Sequence, residues 1–405
     1  MATWLLTNTH MGRDVLVRGD RLADASSLPP GLVPKRFDCG GGTVEPGRIN
    51  AHTHLYSGLA PLGMPQPLSP PQNFLQILKQ IWWRLDRALD GESLRAAARY
   101  YVAQALRFGT TFLVDHHESP DMIAGSLDIL ADACEELGVR ALLAYGATER
   151  NGGLRESSAG LQECRRFIQT NRRKGVQGLF GLHASFTVSD STLENAGQLC
   201  RELAVPMHVH VAEDVADLED AQQRGYSDPL DRLLKWGVLP TGSILAHGVH
   251  LDRDAVRRCN DLGLWLVQNP RSNAGNRVGY PRALSHSRFV AIGTDGYPAS
   301  MPDEEAALLE LARKETEHED PRSVSVRATA GYALVTSHLR LPFGDLLPGS
   351  AADLVVRSAS GSILHVMCQG QWVVQNGELL TANFAEIEQD AKVQAQRLWS
   401  KMSVL

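Results

Sequence analysis

The chain has 405 residues, 43% of them hydrophobic and 21% charged, with a formal net charge of -6. That is an ordinary globular composition, with material for a barrel of ~250 residues plus one smaller domain. It contains no Lys/Arg-rich run, so nucleic acid is not an expected partner, and no stretch nears the ~18 consecutive apolar residues of a membrane span.

Residues 1–47 hold β-like pieces at 4–7 and 15–18 among turn residues, and lack the cationic start and apolar stretch of a secretion signal. Eight short, mostly apolar runs follow at 48–52, 110–115, 140–144, 179–182, 206–211, 243–246, 264–267 and 289–293. Runs of this length suit strands buried on both faces of a parallel sheet. Helical patterns separate them at 92–108, 122–137, 161–172, 193–203, 229–236 and 252–262, and another follows at 304–317. Only the seventh crossover, 270–288, carries little helical periodicity. This alternation predicts the α/β class and a (β/α)8 TIM barrel over residues 48–345.

Past the barrel, runs at 363–369 and 370–375 lead into Asn376-Gly377, a strong hairpin signal. Residues 1–47 plus 346–382 are expected to form one small β-sandwich-like domain from both chain ends. An amphipathic helix over 384–402, in the terminal segment 383–405, is expected on the outside. The six cysteines are scattered without a C-x-x-C, which predicts reduced thiols in a cytoplasmic protein.

Histidines and acids punctuate the ends of the apolar runs, where a barrel of this kind carries its chemistry. His52 and His54 alternate, so both side chains can chelate one ion. His208 and His210 repeat the geometry. His210 is preferred as ligand because it lies nearer the strand end, with Glu213 three residues on. Glu213 can shuttle protons there, although a lone Glu is more often a surface acid. His247 could orient the attacking hydroxide or polarise the substrate, and a strand-terminal His alone is more often structural. Asp295, in Gly293-Thr294-Asp295-Gly296, can ligate a metal and accept a proton from water. A divalent ion lowers the pKa of a water it holds from 15.7 to ~7, which is what hydrolysis of an unactivated C–N bond needs.

These motifs, with Pro46-Gly47-Arg48-Ile49-Asn50-Ala51 ahead of His52, resemble the amidohydrolase superfamily, in particular its cytosine/guanine deaminase and chlorohydrolase branch. Residues 73–89, Asp115-His116-His117, the segment 183–189 and Asn269-Pro270-Arg271-Ser272-Asn273 are similar to SsnA-type aminohydrolases. The resemblance implies one divalent ion, zinc ahead of iron, bound by His52, His54, His210 and Asp295, with Glu213, His247 and Asp295 catalytic. Strand four ends in His183 where binuclear relatives carry a lysine, so it implies a mononuclear site, and it gives His183 a substrate contact.

Residues 55–90 after strand one are a natural lid, where Trp82 and Asp86 lie one helical turn apart and could face the substrate. A Trp packing the helix onto the barrel is the ordinary alternative for Trp82. His116, Glu149 and Arg150 are rim candidates, while His10, His286, His318, His338 and His365 read as surface or core residues. The expectation is a metal-dependent hydrolase that replaces the amine of an aromatic heterocycle (purine, pterin, pyrimidine or triazine) with oxygen. Chloride or a cyclic amide is the rival leaving group, and a non-catalytic binding barrel is the rival class. A small molecule is the expected partner, and a homodimer is left open.

Overall fold

A computed structural model describes residues 3–24, 26, 28–67, 69–315, 320 and 324–405. Its centre is a parallel barrel of eight strands in chain order: Arg48–Thr53, Thr110–His117, Arg140–Ala147, Phe180–Ala184, Met207–Val211, Ile244–His247, Trp265–Gln268 and Val290–Ile292. All eight expected runs form strands. Strands two and three continue two and three residues further than their apolar runs, and a short strand, Val176–Gly178, pairs with strand three ahead of strand four.

Closure is local and lies at the functional end. Strands one and eight meet through a parallel bridge between Thr53 and Asp295, and the Asp295 N–H donates to the His52 carbonyl at 3.0 Å. Gly293 makes this approach possible, because a Cβ there would lie 2.5 Å from the His52 carbonyl oxygen.

Helices Gly91–Arg107, Ser126–Leu137, Leu154–Thr170, Asp190–Leu203, Pro229–Lys235, Arg253–Asp261 and Met301–Lys314 match the expected positions with shifted ends. The longest shift is the start at Leu154, seven residues earlier than its apolar stripe. Glu156 accepts from the N–H groups of Asn151 and Gly152, both at 2.7 Å, and anchors that polar first turn. The seventh crossover holds only Pro270–Gly275 and a 3-10 turn at Arg282–His286. Two helices went unread, Val215–Gln223 and Val326–Leu339. In the second, Leu334 and Val335 join a core cluster with Ile49, Val114 and Ala291 and cover the closing strands. The end of the expected run 304–317 lies outside the described residues.

The chain ends form two further sheets. One holds Thr3–Thr7, Val15–Arg18, Arg21–Ala23 and Lys35–Asp38. The other pairs Thr43–Pro46 with Leu354–Arg357 and continues through Ile363–Cys368, Gln371–Gln375 and Glu378–Leu379. Leu6, Val17, Val44, Leu354 and Met367 pack together between them. Helix Phe384–Met402 packs against Gly91–Arg107. Among the described residues, no helix is long and apolar enough to cross a membrane.

Candidate active site

Three histidines are tethered through Nδ1, each with Nε2 turned to a common centre. His52 Nδ1 lies 2.9 Å from His208 Nε2, His54 Nδ1 2.5 Å from the His116 carbonyl oxygen, and His210 Nδ1 2.7 Å from the His183 carbonyl oxygen. Such tethers fix ring orientation and leave Nε2 as the ligating atom. His208, the competing candidate, is therefore a support for His52. One Asp295 oxygen lies 3.3 Å from His52 Nε2 and 2.8 Å from His54 Nε2, and the other accepts from the Ser272 hydroxyl. Together His52, His54, His210 and Asp295 offer donor atoms within 4.8 Å of one another. His52 Nε2 is buried without a hydrogen-bond partner, a cost that a coordinated cation removes. Three imidazoles and a carboxylate fit one divalent ion.

Burial disfavours imidazolium, holding His183, His208 and His210 well below their ordinary range and taking His52 to about 3. At His54 burial opposes the charge, but the hydrogen bond to Asp295 and its charge outweigh it and raise the group to about 9. Asp295 is buried too, yet the His52 and His54 rings beside it hold it well below the carboxylate range.

Glu213 follows strand five, and His247 ends strand six with its Nε2 3.4 Å from Glu213 Oε2. Burial and the charge of Asp295 push Glu213 well above the usual carboxylate range. His247 Nδ1 lies 2.9 Å from the Asn273 amide oxygen and 3.2 Å from the Asn269 amide nitrogen; with its N–H given to the nearer oxygen, Nε2 is left as a base. That Nε2 is buried with no hydrogen-bond partner. His247 and Asp295 have left-handed backbones, with φ of 76° and 54°, as does Ala212 at 49°. Backbone of this kind, costing about 1–3 kcal/mol per residue, gathers where side-chain placement matters more than strand geometry.

A cavity opens above these groups, walled by Trp82, Trp83, Asp86, Glu118, Arg150 and His183 among others. Trp82 and Asp86 both line it, but the helix is irregular in the turn that leads into Trp82. Leu78–Trp82 is a π-turn closed by the Trp83 N–H on the Leu78 carbonyl. It is Trp83 that meets His183 edge-on, at 6.2 Å between ring centroids, and carries the Arg150 guanidinium 4.8 Å from its ring centre. Asp86 is paired with Arg150 at 2.8 Å, yet burial pushes its carboxyl up to about 7 against that pairing.

Two rim candidates lie elsewhere. His116 is fully buried and absent from the cavity wall, because strand two runs two residues past its expected end and carries the ring beneath Glu118. Its Nε2 lies 3.0 Å from the Leu182 carbonyl oxygen and its Nδ1 3.0 Å from Glu118 Oε1. Glu149 accepts from the Ser189 N–H and the Thr192 hydroxyl, bracing the start of helix Asp190–Leu203. His338 bonds the Gly242 carbonyl at 3.1 Å and His365 packs on Phe37, while His318 lies outside the described residues. Glu118, Trp83 and Asn276, whose Nδ2 is 3.3 Å from Glu213 Oε1, were not singled out from sequence. For Glu118 the sequence carries a signal: an acid three residues beyond the run 110–115.

Residues 43–373 match the amidohydrolase family. A 5'-deoxyadenosine deaminase of Methanopyrus kandleri is 29% identical over 401 residues, covering 88% of this chain and 87% of its own. An 8-oxoguanine deaminase of Pseudomonas aeruginosa is 28% identical over 361 residues, covering 83% and 78%. In fold, the chain is similar to an adenosine deaminase from Xanthomonas campestris with bound zinc (TM-score 0.81, 20% identity, 98% of each chain). It is also similar to the atrazine chlorohydrolase TrzN from Arthrobacter aurescens complexed with zinc (TM-score 0.79, 20% identity, 97% of this chain and 100% of that one). With a family match across most of its length and a ligand set that fits a divalent metal, the chain belongs to the amidohydrolase family.

Proposed function

We propose that this enzyme is a zinc-dependent aminohydrolase that converts an amino-substituted aromatic heterocycle and water into the oxo-heterocycle and ammonia. The observation that carries this reading is Glu213, a largely enclosed carboxyl, 13% exposed and with a raised pKa, which stands with His247 and Asp295 beside the His52, His54 and His210 cluster. When bound there, a divalent ion polarises the reacting centre and lowers the pKa of water to ~7. Asp295 and His247 Nε2 take up the proton that the attacking water loses. Glu213, in a setting that favours its protonated form, gives a proton to the ring nitrogen beside the reacting carbon, and then carries a second one, released by the water, to the departing amine. General acid–base transfer of this kind contributes ~10²–10⁴-fold. Trp83 and His183 bound the ring, and the Trp82 side of the lid keeps water out.

Named deaminases among the relatives support an amine leaving group, and the zinc bound in proteins of similar fold supports that metal. Six buried, unpaired cysteines support a reducing, cytoplasmic setting. Residues 1–47 with 346–382 form, in this reading, a supporting domain without part in the chemistry, beside the barrel 48–345.

The test is metal content together with ammonia release over aminopurines, pterins, aminopyrimidines and triazines. One zinc per chain and ammonia from one of these classes are expected. Two ions per chain, or chloride release from a chlorotriazine without ammonia from any amine, would overturn the reading.

A further inference from the structure

The chemistry above leaves Glu118 unused. Its carboxylate is 2% exposed, lies one residue beyond strand two and faces the cavity. One oxygen is 3.0 Å from His116 Nδ1 and the other 3.8 Å from His54 Nδ1, and the group comes within 4.8 Å of ring nitrogens of His183 and His210. Among the described residues no Lys or Arg forms an ion pair with it, and Arg150, the cation of the cavity wall, is bound to Asp86. The neighbouring strand keeps room for it. A Cβ at Gly146 would lie 2.6 Å from Glu118 Oε1 and 2.4 Å from His116 Cε1.

Position gives this carboxylate a meaning. Strand two stands opposite strand six and three strands from strand five in an eight-stranded barrel, so Glu118 faces the Glu213–His247 pair across the barrel mouth. A flat ring laid between them offers one edge to Glu213 and the other to Glu118. The carbon that loses its amine has two ring neighbours. The one on the Glu213 side is protonated during the reaction, so it is an imine-type nitrogen. The other faces a carboxylate, which can only accept. A lone-pair nitrogen would be repelled there, and a C–H would add no donor to a carboxylate whose neighbours are the His116 and His54 rings and whose Oε1 is buried with no hydrogen-bond partner.

We infer that Glu118 determines specificity by accepting a hydrogen bond from a ring N–H next to the amine-bearing carbon. The substrate class is then a heterocycle whose reacting centre is guanidine-like, H–N–C(NH2)=N, and not amidine-like. This rests on the aminohydrolase reading and narrows it.

The test compares kcat/KM for ammonia release within matched pairs, guanine against adenine and isocytosine against cytosine, on the zinc-loaded full chain. The guanidine-like member of each pair is expected to be the better substrate by at least tenfold. Whichever ring proves best in the wider screen should carry the flanking N–H. Glu118→Gln, with metal content and melting temperature checked, is expected to lower kcat/KM on the guanidine-like probes by on the order of 10–10²-fold and to leave the amidine-like probes far less affected. The wild-type ratios stand even if that variant does not fold. A best substrate without the N–H overturns the inference. So does an equal loss on both members of a pair, which would mean that Glu118 acts through His116 or His54, and so does loss of metal from the variant. Chloride release with no ammonia from any probe would instead sink the aminohydrolase reading itself.

Discussion

At the scale of single residues, the site is built from imidazoles whose outer nitrogens are already bonded, so little ring freedom is lost when Nε2 meets a ligand. Glu213 stands in surroundings unlike those of an exposed acid: largely enclosed, beside the ionised Asp295 and 3.4 Å from His247. Glu213→Gln keeps its size and its contact with Asn276 but removes the proton carrier. It is expected to retain metal and melting temperature while kcat falls by about 10²–10⁴-fold; near-wild-type turnover in steady-state assays would exclude the shuttle role. The ligand set and Glu213 were legible because barrel chemistry collects just past strand ends, so position relative to an apolar run carried the information. Glu118 has the same position, but an acid after a strand reads as a solvated loop residue until its burial is known. His116 was displaced for a related reason. Polar residues 115–117 look like a strand's end, yet in this barrel they continue it inward.

At the scale of elements, the lid is where sequence periodicity misleads. A regular helix through 73–89 would put Trp82 on the substrate face and turn Trp83 aside. The π-turn at Leu78–Trp82 adds one residue to that turn and brings both rings to the cavity, as such turns do at functional sites. Their contacts differ. Trp82 lies against the Gly296 backbone, 2.9 Å from where a Cβ would stand, and packs on two core clusters, whereas Trp83 touches His183 and Arg150. Trp82→Ala is therefore expected to cost stability, ~2–4 kcal/mol for a partly buried large-to-small change. Trp83→Ala should instead raise KM by roughly tenfold or more with a smaller change in melting temperature. One thermal melt and one KM per variant decide it, and the reverse assignment would show that Trp82 holds the ring. The strands were readable as apolar runs. Helix Val215–Gln223 was not, because its nine residues bury only Asp217 and Ala221 and leave no apolar stripe. Val326–Leu339 mixes Thr, Gly and Ala through its length, and its partners on strands one and eight lie far away in sequence.

At the scale of the whole molecule, catalytic acids and fold stability draw on the same buried carboxyls. Asp217 lines the cavity, and burial pushes it up to about 7 against the stabilising N–H of Ala212 at 2.7 Å. Between about pH 4 and 7 the folded chain holds a proton there that the unfolded chain has released, so this group lowers stability as pH rises through that window, by up to ~4 kcal/mol. Asp217→Asn keeps an acceptor for Ala212 without titrating. Its urea-unfolding free energy is expected to fall less between pH 4 and 7 than that of the parent, and parallel slopes would refute the assignment. A second long-range tie joins the chain's end to the site's entrance. The indole N–H of Trp399 donates to the Leu62 carbonyl at 3.1 Å, and Arg84 on the lid donates to the Met402 carbonyl at 2.6 Å. Trp399→Phe removes one of these bonds with little loss of volume. Hydrogen exchange is then expected to quicken in residues 60–77 and to stay unchanged in the barrel strands, and an unchanged loop would mean that the tie carries no weight. The same clasp gives the outer layer of the molecule a line to the cavity: a change that loosens helix Phe384–Met402 from Gly91–Arg107 reaches the cavity wall through Arg84 and Leu62 without passing through the barrel strands.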